Sequence, residues 1–309
     1  MNAYARRTRL KLVCLLFPVL LVACRKGQST GATTAGSAPS AAATASTEIR
    51  HPLVGTVVKV DPERGTLLVD HEAIAGYMPG MVMEFKVGPG DLVNAKAGQR
   101  LRGELVQEAD GEFLLEKIWP IDATAEAAIA AGTNALRQDT TIRGKRAYRE
   151  VGENLPDFAL YDQSGAVVSP ARFRGKSIVL NFIYTRCPIA TMCPAATERM
   201  MSLQRQAKAA GVTNLELISI TLDPEFDTPG VLKEYAEDRG IDTSNFSFLT
   251  GPESAIKDLL RQFGVIAMAE GSILQHTLAT LLINENGRIV HRVDGSSWDV
   301  QEFVDKLTH

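Results

Sequence analysis

The strongest constraint on the fold is an apolar run that ends in a pair of cysteines. Residues Ser177 to Tyr184 are mostly apolar, and Cys187 and Cys193 follow within nine positions, each directly before a proline. A short continuous apolar run is typical of a strand that is buried on both faces. Residues 194–210 then show a helical pattern. The sequence therefore predicts a buried strand, a loop that carries two thiols, and a helix.

Two thiols at the end of a buried strand allow three kinds of chemistry: a structural disulfide, a redox couple or a soft-metal site. Thiols at a strand-to-helix junction lie near unpaired backbone N–H groups and the positive end of the helix dipole, which both favour thiolate. Thiolate is the soft ligand that selects Cu(I). A disulfide across so short a loop stabilises a fold little, so we favour metal binding or redox chemistry.

The first 24 residues have the pattern of an export signal. The apolar stretch Leu12 to Val22 is too short to span a bilayer, which needs about 20 apolar residues. It follows a basic segment that contains Arg6, Arg7, Arg9 and Lys11. Residues 21–24, Leu-Val-Ala-Cys, resemble a bacterial lipobox, which implies cleavage before Cys24 and attachment of lipid to its thiol. The alternative is an ordinary secretory signal with a chance cysteine.

Processing of this kind changes the cysteine count. Of the four cysteines, Cys14 leaves with the signal and Cys24 is modified, so Cys187 and Cys193 are the remaining thiols. The lipobox resemblance implies a lipid anchor on the periplasmic side of a bacterial membrane, and Arg25, where Asp could stand, favours the outer one. Disulfides persist outside the cytosol, so the redox state of the pair stays open.

Composition and patterning divide the rest of the chain into four segments. Residues 25–49 are rich in Ala, Ser, Thr and Gly and predict a flexible linker. Residues 50–120 predict a small all-β barrel, and residues 121–149 a helix-prone linker. In residues 150–309 strands alternate with helices and an antiparallel pair comes late, which predicts an α/β domain. That order resembles a thioredoxin-like fold. The net charge of −3 shows no basic excess for binding nucleic acid.

The predicted barrel rests on five short strand patterns separated by turn residues. Five strands of this length and spacing are typical of a small closed barrel, similar to the OB type. The expected strands are Val54–Val60, Thr66–Asp70, Met81–Val87, Arg100–Val106 and Glu112–Ile118.

Three separated motifs in the C-terminal half resemble those of the Sco/SenC family of copper proteins. Residues 185–194, Thr-Arg-Cys-Pro-Ile-Ala-Thr-Met-Cys-Pro, match the ends of the family's TxCPxxCP pattern. Residues 223–229, Asp-Pro-Glu-Phe-Asp-Thr-Pro, resemble its DPxxDTP stretch, and residues 275–277, Gln-His-Thr, precede an apolar strand as its ligand histidine does. The chain departs from the family pattern in the spacing of the thiols. Five residues separate the two cysteines here, whereas three are commoner in the family.

The resemblance implies a thioredoxin-like fold with a copper site formed by Cys187, Cys193 and His276. It also implies a client, the CuA centre of a cytochrome c oxidase. Taken alone, His276 could instead be a hydrogen-bonded buried histidine, but neutral imidazole suits copper and its place favours a ligand. Asp223 is either an acceptor that supports the site or a turn residue, and both interpretations stay open.

A thiol oxidoreductase is the main alternative for this domain. Such enzymes on this fold usually carry a CxxC pair, with a proline opposite it on the neighbouring strand. Here the pair is more widely spaced, and Ala279 stands where that proline is expected. Both features argue against general disulfide exchange and leave room for a specialised thiol reductase.

The predicted barrel contains a second group of soft donors. Met81 and Met83 lie two residues apart, so their side chains share one face of a strand, and a Pro-Gly turn can bring Met78 and His71 towards them. Thioethers suit Cu(I), although methionine also fills cores. The segment resembles the CusF copper- and silver-binding domain, whose ligands are His, Trp, Met and Met. That resemblance implies a copper site formed by His71, Met81 and Met83, with Met78 near the tryptophan position.

Together these features predict a membrane-anchored periplasmic copper chaperone rather than an enzyme. The cargo is Cu(I), with Cu(II) as the alternative state at the Cys/His site, and the partners are a membrane and the CuA subunit. Two alternatives stay open: a thiol-disulfide reductase that acts on the CuA cysteines, and a copper buffer that confers resistance.

Overall fold

The computed structural model describes residues 49–108, 111–144, 147–270 and 273–308. The predicted signal, the lipidation site Cys24 and nearly all of the first linker lie outside these residues. Residues 47–309 form one compact unit. Within the described residues, none of the helices combines the length and the apolar character that a bilayer crossing needs.

The N-terminal part of the described chain is a closed ring of five strands, as predicted. The ring order is β1-β2-β3-β5-β4, and its pairs are antiparallel except for β3 with β5. Alternate residues point inward and form a separate apolar core around Leu67, Val69 and Phe85. A short helix, α1 (Pro89–Asn94), connects β3 to β4. The strands are β1 (Arg50–Asp61), β2 (Thr66–His71), β3 (Met81–Lys86), β4 (Arg100–Gln107) and β5 (Phe113–Ile121).

The helix-prone segment after the barrel is helix α2 (Ala123–Arg143). The side chain of Asp122 caps it by accepting a hydrogen bond from the backbone N–H of Ala125. Leu136 is buried in the main core. Gly132 touches Ala159 so closely that a Cβ there would lie 2.6 Å from its backbone nitrogen. The segment between the two predicted domains is therefore packed against the α/β domain.

The C-terminal domain is a seven-stranded sheet of order β14-β13-β8-β9-β10-β6-β7, with helices packed around it. Strands β8, β9 and β10 are parallel, and β13 and β6 run antiparallel to their neighbours. A hairpin of β11 and β12 forms a separate two-stranded sheet. The elements are β6 (Leu160–Asp162), β7 (Val167–Val168), β8 (Ser177–Ile183), α3 (Cys193–Ala209), β9 (Leu215–Thr221), α4 (Pro229–Asp238), β10 (Phe246–Thr250), α5 (Glu253–Gln262), β11 (Ala267–Glu270), β12 (Ile273–His276), β13 (Ala279–Ile283), β14 (Ile289–Asp294) and α6 (Val300–Thr308).

This arrangement confirms the predicted thioredoxin-like α/β fold preceded by an OB-like ring of strands. Strand β8 is the predicted apolar run, and six of its seven residues are buried. Because β8 and β9 are parallel neighbours, the loops that follow them leave from the same edge of the sheet. The first of these loops carries Cys187, and the second begins at Leu222.

The barrel packs on the α/β domain through helices α1 and α4. A Cβ on Gly90 would lie 1.9 Å from the carbonyl oxygen of Gly230, so only glycine fits at this crossing. Asp91 lies beside it and is half-buried. Burial, with the carboxylates of Glu234 and Glu116 nearby, raises the pKa of Asp91 from its ordinary value of 3.8 to about 7.

We expect Asp91→Asn to stabilise the protein above pH 7. The pKa of this carboxyl group is higher in the folded state than in the unfolded state, so its ionisation favours unfolding. The free energy of unfolding therefore falls as pH rises from about 4 to 7. The amide cannot ionise, and the variant should gain up to about 4 kcal/mol at pH 8 and less than about 1 kcal/mol at pH 4. Thermal unfolding of both proteins across this range checks it; a constant difference in melting temperature would contradict the assignment.

Candidate metal centres

The first centre lies where the loop after β8 meets the start of α3. Cys187 lies in that loop, Cys193 is the first residue of α3, and His276 ends β12. Both thiols are free. The three ligand atoms all lie within 4.8 Å of one another, and Cys193 Sγ is 3.4 Å from His276 Nε2. The five-residue interval between the cysteines therefore brings both sulfurs to one point beside the imidazole.

His276 is held in the orientation of a ligand. Its Nδ1 lies 3.2 Å from the carbonyl oxygen of Thr277, and its ring packs edge-on against Tyr184, which leaves Nε2 facing Cys193. Burial lowers the pKa of His276, which favours the neutral, metal-binding form. From the sequence we expected His276 directly before an apolar strand, with no further strand of its own. The structure instead places it on the separate hairpin, three residues before β13 begins.

The environment of Cys193 differs from the one that the sequence suggested. We expected the helix end to favour thiolate at the pair. Cys193 is fully buried, and this burial raises its pKa well above the ordinary thiol value, despite its position in the first turn of α3. Burial and Cys187 raise the pKa of Tyr184 to about 12. Without a bound metal ion Cys193 therefore favours its protonated form, and binding of a metal ion must displace that proton.

A buried carboxylate fixes the chain just before Cys187. Asp227, with no exposed surface, accepts hydrogen bonds from the backbone N–H of Thr185 at 3.2 Å, from the Thr185 hydroxyl and from Thr221. Burial raises the pKa of Asp227 to about 6, against the lowering effect of these hydrogen bonds. No side-chain pattern in the sequence marked Asp227 as part of the site. Its place in the DPxxDTP stretch was the available signal.

Asp223 contacts a different residue of the thiol loop than Asp227 does. Its carboxylate accepts a hydrogen bond from Arg186 Nε at 2.7 Å, and its backbone N–H donates to the hydroxyl of Thr221 at 2.9 Å. Both interpretations of Asp223 therefore apply in part, because it ends the strand and it supports the residue before Cys187.

The second candidate centre lies in the barrel, where His71 ends β2 and Met81 begins β3. These two residues are direct partners across the strands, as are Val69 and Met83, so His71, Met81 and Met83 share the inward face. His71 is only 2% exposed, and its Nδ1 lies 2.8 Å from the carbonyl oxygen of Glu72. Its Nε2 is buried and, among the described residues, has no hydrogen-bond partner. Leaving such a nitrogen unpaired is costly, and a metal ion would satisfy it.

The methionines differ in their exposure. Met83 and Met78 are partly buried against the barrel core, whereas Met81 is 48% exposed. Met78 pairs with Ile74 in a tight backbone bridge, which holds the turn between β2 and β3. Beside it, Tyr77 stacks on His51 with ring centroids 4.0 Å apart. The structure thus places imidazole and thioether donors together where β2 ends and β3 begins.

We expect His71→Leu to leave the metal-free protein about as stable as the wild type. Truncating a buried residue normally costs several kcal/mol, but here the change also removes an unpaired buried nitrogen. Phe85→Ala, in the same core, is the matched control and should cost about 3–5 kcal/mol. Urea unfolding of the metal-free proteins checks both values. An equal loss in the two variants would show that His71 serves the core.

Taken together, the two donor sets define a two-domain copper-binding protein: thiols and an imidazole on a thioredoxin-like domain, and an imidazole with thioethers on a small barrel. The chain belongs to the SCO1/SenC family, whose model matches residues 146–309. A second model, described as copper binding periplasmic protein CusF, matches residues 50–120. Both predicted resemblances are confirmed, and copper is the metal that the donors and the CusF model indicate.

Individual relatives match part of this chain. The SCO1 protein homolog of Bacillus subtilis is 31% identical over 156 residues, which cover 49% of this chain and 79% of the relative. An SCO2-like protein of Rickettsia conorii is 31% identical over 190 residues, which cover 59% and 84%. Among solved structures, a SCO1/SenC family lipoprotein of Bacillus anthracis aligns with a TM-score of 0.46 at 25% identity. That alignment covers 52% of this chain and 98% of the other.

Proposed function

We propose that this protein is a membrane-anchored copper chaperone that holds Cu(I) at both centres and delivers it to the CuA site of a cytochrome c oxidase. The observation that carries the proposal is the convergence of Cys187, Cys193 and His276 within 4.8 Å. The Sco family is described as one of cytochrome c oxidase assembly proteins, which supports the choice of client. The barrel, with its separate donors, supports a role in which copper is held before delivery.

The chemistry of delivery follows from the protonation of the centre. Burial raises the pKa of Cys193, so this thiol favours its protonated form unless a metal ion is bound. Binding of copper therefore releases a proton from this thiol, and departure of copper returns it. His276 binds without losing a proton, since its pKa is lowered and the ring is neutral. A partner with soft ligands can then replace these donors one at a time, and uptake of a proton by Cys193 favours release.

We expect the reduced full chain to bind two equivalents of Cu(I) in competition with a chromophoric chelator. Cys187→Ser should remove one equivalent, and Met81→Leu with Met83→Leu should remove the other, because each change takes soft ligands from one centre only. Met201→Leu, in helix α3, is the control and should leave both. Retention of two equivalents after Cys187→Ser would refute the site in the α/β domain.

The second candidate function is a thiol-disulfide reductase for the CuA cysteines. It is favoured by a free pair in which Cys187 is 9% exposed and Cys193 is fully buried. This arrangement suits attack by the outer thiol and resolution by the inner one. With Cys193→Ser, a reductase should accumulate a mixed disulfide with a peptide that carries the CuA cysteines, and the wild type should reduce that peptide without copper. Absence of both would exclude this function.

Anchoring is part of the proposal. Cys24 in its lipobox would carry the lipid, and the linker that follows would hold the folded part on the periplasmic side of the membrane. Mass spectrometry of the N-terminal peptide from the native membrane tests it, because a diacylglyceryl Cys24 is expected and an unmodified one would contradict it.

A further inference from the structure

The loop between β9 and α4 contacts both the barrel and the chain that leads to Cys187. We call residues 223–230 the bridging loop; it includes the first two residues of α4. Glu225 and Gly230 of this loop contact the barrel, and their close neighbours in the loop contact the two residues before Cys187.

On the barrel side, the bridging loop meets α1 and β5. Gly230 lies against α1 with no room for a side chain, since a Cβ on it would come within 2.0 Å of Asp91 Oδ1. Glu225 forms an ion pair with Lys117 of β5, with Nζ and Oε1 3.9 Å apart. A pair as exposed as this one adds little stability. The close backbone contact at Gly230 therefore does more to fix the loop against the barrel.

Lys117 itself has an unusual backbone. Its φ of 50° is positive, and among the described residues it is the only residue other than glycine with this property. Such a conformation costs free energy and persists where the surroundings impose it. The register of β4 with β5 shifts beside it, between Arg102 and Glu104. The barrel thus keeps an irregular strand at the position where it touches the bridging loop.

On the other side, the bridging loop holds the two residues before Cys187. Asp227 accepts the hydrogen bonds from Thr185, and Asp223 accepts one from Arg186. The guanidinium of Arg186 also lies 4.7 Å from the ring centroid of Phe226. The backbone that enters the thiol loop therefore takes its position from this loop.

We propose that the docked barrel is a positioning element for the thiol centre, and that it acts through the bridging loop on Thr185 and Arg186. The two domains then form one functional unit, in which the barrel sets how Cys187 faces Cys193 and His276. The inference rests on these contacts alone and holds whether the centre carries copper or exchanges disulfides.

The test measures the thiols themselves. In full-length chains that carry Cys14→Ser and Cys24→Ser, Cys187 and Cys193 are the only thiols, and the barrel contributes none. The dithiol–disulfide equilibrium constant is measured in glutathione buffers, together with the rate of reaction with a neutral thiol reagent. Gly90→Val changes only the barrel side of the contact. Val93→Thr, at an exposed position on the same helix, is the control.

We expect Gly90→Val to change the equilibrium constant or the reaction rate by at least about 5-fold, the lower end of ordinary coupling between sites. Val93→Thr should match the wild type. Lys117→Gly is the second variant, because glycine accepts the positive φ without strain while the ion pairs with Glu225 and, inside the barrel, with Glu104 are lost. It should shift the same quantities in the same direction. If Gly90→Val does not fold, the test depends on Lys117→Gly alone. The proposal is overturned if the equilibrium constant and the reaction rate are unchanged in every one of these two variants that folds.

Discussion

The buried carboxylate of Asp227 holds the thiol centre together. It lies in the loop after β9 and receives hydrogen bonds from Thr185, in the loop after β8, and from Thr221 at the end of β9. The two loops are brought side by side because β8 and β9 are parallel neighbours. Without this acceptor the half-buried donors of Thr185 and the buried hydroxyl of Thr221 would lose their partner, which is costly. The position of Cys187 thus depends on a side chain that is distant in the sequence.

Both metal centres keep polar groups in surroundings that suit them poorly when no metal is bound. His71 has a buried nitrogen without a hydrogen bond among the described residues, and Cys193 is a thiol that burial prevents from ionising. Desolvated groups of this kind suit a soft cation, which would satisfy them. The centres differ in access, because Met81 is half exposed whereas the sulfur donors of the α/β domain are buried. The thioether centre is therefore the more open of the two.

The contact between the domains combines a close backbone crossing with large side chains, since Trp119 of β5 packs edge-on against Tyr161 of β6. Gly90 and Gly230 meet where any other residue would clash, and α2 packs against α5 on the α/β side, with Arg137 in an ion pair with Asp258. A segment that composition alone marks as a linker is thus part of the structure. The crossing of two glycines requires these residues at these positions, but the sequence alone does not reveal it. Glycine is also expected in any turn, so its presence does not indicate a close contact.

The sequence by itself determined the local structure: the five strand patterns of the barrel, the buried strand before Cys187, and the soft donors His71, Met81, Met83, Cys193 and His276. These depend on periodicity and on the chemistry of single residues, which are present in the chain as written. Only the tertiary structure decided that the five-residue interval brings both sulfurs to His276, that His276 stands on a separate hairpin, and that Cys193 is too buried to ionise. It alone identified Asp227 and the crossing of Gly90 with Gly230. These findings depend on contacts between residues far apart in the sequence and on how completely packing excludes water. A local segment of sequence determines neither the contacts nor the exclusion of water.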